Sequence, residues 1–229
     1  MFLYHRLLSC GLRLAATAGT DVFLSFSHGP GVASNPPGWG RVYARLGDQP
    51  LSVPAFEQAI RGGRTLVTNG PWLTLEVNGQ GPGAVLDLAA GDRLDVRTRA
   101  QGAGAERLTL VGPDGVMAAG DADAELRLET TLEGGPTWIA AVARGGGHPN
   151  TLDASVLAHT SPVYVDVAGQ RVSRAADARW CLALLDELER FVGEHGHFDP
   201  ATRSAHLGDL VAVLDEARGF YRRAAAAGG

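Results

Sequence analysis

Four residues near the start of the chain carry side chains suited to holding an ion or orienting a charged group: Asp21, His28, Arg41 and Asn69. Asp21 ends a short apolar run and precedes a loop, Phe23 to Gly40, rich in Gly, Pro, Ser and Asn. At the C-terminal end of a barrel strand such a carboxylate faces the active site, where it binds a metal or acts as a base. In a loop, the same Asp simply caps a turn. His28, within Ser27-His28-Gly29-Pro30, could reach back toward Asp21 as a ligand or stand in solvent. Arg41 and Asn69 come from the ends of neighbouring elements. The arginine could orient an anion or pair with a surface carboxylate, and Asn69 could line the pocket or serve the turn of Asn69-Gly70-Pro71.

Other chemical patterns weigh less. In His195-x-His197-x-Asp199 alternate residues could share an ion, yet a glycine separates the histidines and Asp199 suits a helix cap. His159 reads as structural. Ser161 lacks the G-x-S-x-G elbow, and Gly79-x-Gly81-x-Gly83 has no helix behind it. All 20 basic residues are arginine. That excludes Schiff-base lysine chemistry and a phosphate-binding loop of the G-x-x-x-x-G-K-[ST] type. A net charge of −5 argues against a nucleic-acid footprint.

Cys10 and Cys181 leave one long-range disulfide open, with two free thiols in a reducing compartment favoured. Leu7-Leu8-Ser9-Cys10 imitates a lipidation box, but His5 and Arg6 interrupt its apolar stretch. No run approaches the ~18–20 apolar residues that cross a bilayer. A soluble, cytoplasmic chain without a membrane partner is expected.

The elements positioning these residues change character along the chain. Its 229 residues, 45% of them hydrophobic, can bury one large core or two small ones. Residues 1–9 have helical apolar spacing, and 12–18 read as a short buried strand. A strand is expected at 41–46, then a helix over about Val53–Arg61 capped by Ser52 and ended by Gly62-Gly63. After Asn69-Gly70-Pro71 the period becomes two: alternating runs start at Trp72, Arg93, Glu106, Ala124, Thr137 and Val163, punctuated by turn residues. These predict an immunoglobulin-like antiparallel β-sandwich. Trp72 and Trp138 fall at plausible core positions. Two helices close the chain as a hairpin, with stripes at Trp180, Leu184, Leu188, Phe191 and at Leu207, Leu210, Val211, Leu214, Tyr221. Asp199-Pro200 would start the second.

Several stretches resemble one family. Leu8–Leu14 followed by Ala18-Gly19-Thr20-Asp21 is similar to the last strand of a PHP-type metallohydrolase of the CehA/McbA branch. Gly40–Ala44 is similar to its next strand, and Thr160–Val165 to one near the end of its sandwich. Ala59–Pro71 resembles the signature A-x-R-x-G-R-T-x-x-T-N-G-P. The resemblance covers the C-terminal half of such a protein. It implies an α+β architecture: the remnant of an α/β catalytic barrel over 1–70, the sandwich over 71–172 and the helical hairpin over 173–229. It also implies hydrolysis of an ester, carbamate or phosphoester by metal-activated water, with divalent zinc, manganese or iron in the full-length parent. Asp21 falls on a metal position, and His28, Arg41 and Asn69 line the pocket mouth. Relatives carry a histidine two residues after that Asp, where this chain has Phe23. Their remaining ligands lie upstream, so the isolated chain is expected to be inactive, with a missing N-terminal half or a partner completing the site around a small-molecule substrate. The rival reading is a non-catalytic sandwich module that binds a carbohydrate or protein.

Overall fold

The computed structural model describes residues 2–21, 37–102 and 104–228. Its helices are α1 (Phe2–Ser9), α2 (Val53–Arg61), α3 (Ala175–His195) and α4 (Arg203–Ala227). Its strands are β1 (Arg41–Ala44), β2 (Thr65–Thr68), β3 (Trp72–Val77), β4 (Val85–Leu88), β5 (Arg93–Gln101), β6 (Arg107–Gly112), β7 (Gly115–Asp121), β8 (Leu126–Thr131), β9 (Thr137–Gly147), β10 (Ser155–Thr160) and β11 (Val163–Val167). They form two compact units, Arg13–Gln170 and the combination of Met1–Leu12 with Arg171–Gly229.

The first unit is a β-sandwich. One sheet runs β1-β2-β10-β9-β11-β4, with β6 and β7 joined along β9, and the other is β3-β5-β8. All pairings are antiparallel except β11 with β4. Strict alternation on β3 sends Leu73, Leu75 and Val77 inward, where they meet Leu94, Val96, Leu108, Leu110, Ile139 and Val165. Each such side chain contributes ~1.5–3 kcal/mol by leaving water. β9 departs from alternation. Both of its faces are covered, so Trp138 through Ala143 are buried without a break.

β1 and β2 lie in the same sheet as the sandwich strands, β2 pairing antiparallel with both β1 and β10. These elements do not show the barrel remnant expected over 1–70. Residues 12–18 are not a strand either. Their backbone bonds to side chains rather than to a ladder. Leu14 N–H donates to the Tyr164 hydroxyl at 3.0 Å, and Arg13 pairs with Asp166 at 2.5 Å. The helix at Val53–Arg61 forms as expected: the Ser52 hydroxyl accepts from Ala55 N–H, and Pro54 sits in the first turn. Gly83, at φ 84°, packs against the end of that helix so closely that a Cβ would lie 2.0 Å from the Gly62 carbonyl oxygen.

In the second unit α1 is fastened to α3 by the Arg6–Asp177 ion pair, and the Arg6 guanidinium lies 4.7 Å over the Trp180 ring. Cys10, Ala178, Cys181 and Ala224 form its small core. Both thiols are free and buried. Arg218, only 7% exposed, gathers Asp186, Glu189 and Asp215. Two expectations are corrected here. Leu184, Leu188 and Phe191 are exposed rather than packed, because α3 turns Ala178 and Cys181 to the core instead. Asp199 accepts from Ala201 N–H in a turn, and α4 begins later, at Arg203. Among the described residues no helix is long and apolar enough to cross a membrane.

Candidate functional site

Residues of the signature stretch are heavily engaged in hydrogen bonding within the fold. The Thr65 hydroxyl donates to the Ala16 carbonyl at 2.8 Å and shares a 2.6 Å bond with the Ser161 hydroxyl, which accepts from Ala16 N–H. Thr65 has one hydroxyl proton and gives it to Ala16, so Ser161 must donate to Thr65. The result is a closed ring of three bonds joining residues 16, 65 and 161. Asn69 works as an extension of the ladder: its amide donates to the Ser155 carbonyl at 2.9 Å, and its amide oxygen accepts from Leu157 N–H at 2.8 Å. The Thr68 hydroxyl accepts from Gly70 N–H and donates to the Pro71 carbonyl, setting the turn.

Asp21 is exposed, in the left-handed region at φ 50°. Beside it, the Thr20 hydroxyl and the Gly40 backbone bond to each other at 3.1 Å, and a Cβ on Gly40 would lie 2.9 Å from the Gly19 carbonyl oxygen. The chain on the two sides of residues 22–36 is therefore clasped together. Next to the clasp, Arg41 donates to the Gly38 and Gly70 carbonyls, and its Nε is buried without a partner among the described residues. Arg41 thus stands near Asn69 through Gly70, but Asn69 has both amide ends committed to β10. His28 lies outside the described residues. Among those described there is no group of three or more His, Cys, Asp or Glu side chains able to hold a metal ion.

Two histidine features are also placed. His195 packs against Phe191 at the end of α3, with ring centroids 5.0 Å apart and the planes tilted by 54°. His159 is buried at 3% exposure, its Nδ1 2.6 Å from the Thr160 carbonyl. Burial pushes the Tyr164 hydroxyl up to about 12 and the Cys10 thiol likewise to about 12. These are groups held neutral. Neither is poised as a nucleophile at neutral pH.

A second locus was not foreseen. Where β1 and β2 run alongside β3, a cleft of about 130 Å³ is lined by Tyr43, Arg45, Arg64, Trp72, Thr74 and Glu76, over Leu66, Leu73 and Leu75. Trp72 is 45% exposed, not in the core, and Tyr43 is 40% exposed. Their rings meet edge to face, with centroids 5.0 Å apart at 70°. The outward position of Trp72 follows from the period of β3, since Leu73, Leu75 and Val77 take the inner face. Trp138, by contrast, is fully buried as expected.

Continuing the β1–β2 register past Ala44↔Thr65 sets Arg45 directly opposite Arg64, and Arg45 N–H donates to the Arg64 carbonyl at 2.8 Å. Like charges facing each other across an antiparallel pair repel. Arg64 Nε donates to the Arg45 carbonyl, while its Nη2 is buried without a partner among the described residues. No carboxylate pairs with either arginine among the described residues. The sequence offered no sign of this pair, because 65–68 did not read as a strand.

No family model matches the sequence, and no curated protein does. Among solved structures, similarity is found to the sulfur carrier protein SoxY from Chlorobium limicola f thiosulfatophilum (15% identity, 40% of this chain and 77% of that one, TM-score 0.28). It is also found to the fibronectin(III)-like modules of Clostridium thermocellum CbhA (17%, 41% and 98%, TM-score 0.29) and a chitin binding domain from Burkholderia pseudomallei (12%, 37% and 56%, TM-score 0.25). At TM-scores this low the likenesses carry no argument. The sandwich assignment rests on the strands themselves.

Proposed function

We propose that this chain acts as a non-catalytic β-sandwich module that binds a ligand in the cleft between β1, β2 and β3. The observation that carries this reading is the exposed Tyr43–Trp72 corner beside two unpaired arginines. Two large aromatic rings left in water, next to cations that no carboxylate pairs with among the described residues, form a small surface that gains by being covered. The cleft is small against the ~300–1,000 Å³ of a drug-sized pocket, so it fits one ring or one side chain. The test is a Trp72→Ala variant. The variant keeps its fold and loses a ligand that the parent chain binds; retention of binding in a folded Trp72→Ala variant rejects the cleft.

A second reading has its own support: the chain as the C-terminal portion of a PHP-type metal-dependent hydrolase of the CehA/McbA branch. Three stretches that resemble that family close on one another through the ring of Ala16, Thr65 and Ser161. On this reading Asp21, with His28, contributes to a site completed by an upstream half or by a partner. One carboxylate cannot hold a catalytic ion, so the chain alone is inactive. The same reading places it in the cytoplasm, which suits its two reduced thiols. Metal analysis of this chain beside the protein extended through its upstream reading frame decides the matter. Stoichiometric zinc, manganese or iron with ester, carbamate or phosphoester hydrolysis in the extended form alone supports the reading. Metal in neither form removes it.

A further inference from the structure

We infer that the β1–β2–β3 cleft is a site for an acidic sugar: a saturated hydroxyl-bearing ring carrying one carboxylate, of the hexuronate type. The inference rests on the binding reading above and adds the ligand's class to it. Three features of the lining specify three features of the ligand.

The charge comes first. Arg45 and Arg64 sit opposite each other across an antiparallel pair, without a carboxylate partner among the described residues. Glu76 lines the same cleft without pairing with either of them, so their mutual repulsion is eased further when an anion lies near both. A carboxylate matches the planar guanidinium fork and accepts from both. Arg64 is held for this task by its Nε bond to the Arg45 carbonyl at 3.2 Å. Arg45 lies over Gly81, where a Cβ would come within 3.2 Å of its Nη1, so a side chain at 81 would crowd the guanidinium.

Next is the ring. Trp72 and Tyr43 meet at 70° and present a corner rather than a flat wall. Such a corner receives the apolar C–H face of a sugar ring on one side and its edge on the other. The floor of Leu66, Leu73 and Leu75 is 5% exposed or less, so it is part of the packed core and does not yield to a larger ligand.

Glu76 and Thr74 decide between a sugar and a plain aromatic acid. Glu76 projects from the same face of β3 as Trp72 and Thr74. An apolar anion would meet this carboxylate with repulsion only. A ring with hydroxyls gives Glu76 donors to accept from, and gives one to the Thr74 oxygen as well, whose own proton goes to the Arg99 carbonyl at 3.3 Å. One negative lining charge against two positive ones also favours a single carboxylate over a doubly charged phosphate.

The experiment titrates the chain with glucuronate, glucose, benzoate and an acidic peptide up to ~10 mM, following the Trp72 indole N–H by NMR, with its signal identified from Trp72→Phe. Glucuronate is expected to shift that signal with millimolar affinity, and glucose to bind at least ~10-fold more weakly, the loss of one charge-assisted contact. Arg45→Gln should remove the preference for glucuronate, and with the backbone amides of Tyr43 and Thr74 as reporters in place of the indole, Trp72→Ala should abolish binding while Trp72→Phe retains part of it. Glucose binding as tightly as glucuronate, or an Arg45→Gln variant that still discriminates, overturns the acidic-sugar assignment. Benzoate or the peptide binding in place of glucuronate overturns it too but leaves the cleft as a binding site. If no probe moves the Trp72 signal, both the ligand class and the binding reading fall.

Discussion

Replacing Thr65 by valine keeps the shape of a buried β-branched side chain and removes one hydroxyl, which makes it a clean test of the ring joining residues 16, 65 and 161. Thr65 and Ser161 are 2% and 0% exposed. Without Thr65 as acceptor, the Ser161 hydroxyl proton is stranded in a site water does not reach, at a cost of about 1–3 kcal/mol. The Ala16 carbonyl is only partly buried and turns to solvent, so it adds little. For a unit of this size each kcal/mol shifts the melting temperature by about 2–4 °C, so the expected fall is about 2–12 °C. The assay is thermal and urea unfolding of Thr65→Val, Ser161→Ala and the double variant. Removing both hydroxyls leaves no stranded proton between them, so the double variant should cost less than the sum of the singles, by about 0.5–3 kcal/mol. Thr65→Ser, which keeps the hydroxyl, should stay within ~1 kcal/mol of the parent. A Thr65→Val variant as stable as the parent, or strict additivity of the two singles, refutes the ring.

Trp138→Ala should cost about 3–5 kcal/mol in urea unfolding, because the indole is fully buried in β9. Trp72→Ala should cost about 1 kcal/mol or less, because it sits in the exposed cleft; equal losses would contradict the placement of the two rings. Burial raises Cys10 from 9.0 to about 12, raises Cys181 from 9.0, and raises Tyr164 and Tyr221 from 10.0 to about 12. The folded state then keeps protons that the unfolded chain has lost, so stability is full below pH 9 and falls from there toward about 12; a flat alkaline profile between those values rules this out. Arg218→Met leaves Asp186, Glu189 and Asp215 facing one another. The variant should melt lower than the parent at low salt, and the gap should narrow toward about 1 M salt as the repulsion among the three carboxylates is screened; a gap independent of salt means the three acids do not sense the loss.

What could be read from residues alone divides along physical lines. β3, β9 and β11 were legible because half or more of each strand faces the core, and burial imposes a period or an apolar run. α2 was legible because Ser52, Pro54 and Gly62 are local signals that need no partner. β2, β4, β7 and β10 were missed. β2 is four residues long, and β7 is glycine- and alanine-rich with no clean alternation, so pairing rather than composition makes them strands. The stretch 12–18 was apolar enough to read as a strand, yet side chains of Thr65, Ser161, Tyr164 and Asp166 hold it in place of a ladder. For the candidate site the division is sharper. Asn69 was singled out for its position, and the structure engages both ends of its amide with β10. Arg45 and Arg64 were passed over because their opposition exists only once β1 and β2 are paired.

The two functional readings draw on one and the same stretch of chain. Thr65, Thr68 and Asn69 hold residues 16, 71 and 155–157 in place, while Arg64, Thr65 and Leu66 line the cleft. Thr65, Thr68 and Asn69, three of the polar residues that make the signature recognisable, are already engaged in the fold. The cleft residues Tyr43 and Trp72 lie outside the signature's fixed positions, and Arg64 lies within them. Arg64 is therefore the position at which the readings meet. If it serves only the fold, Arg64→Gln loses the Nε bond to the Arg45 carbonyl and should lower stability, while the folded variant's Trp72 indole signal still responds to glucuronate as the parent's does. If it serves the cleft, Arg64→Gln should relieve the like-charge repulsion, raising or preserving stability, while weakening anion binding at Trp72. Stability and binding moving in opposite directions would be the signature of a site. Stability falling while binding is unchanged would assign Arg64 to the fold.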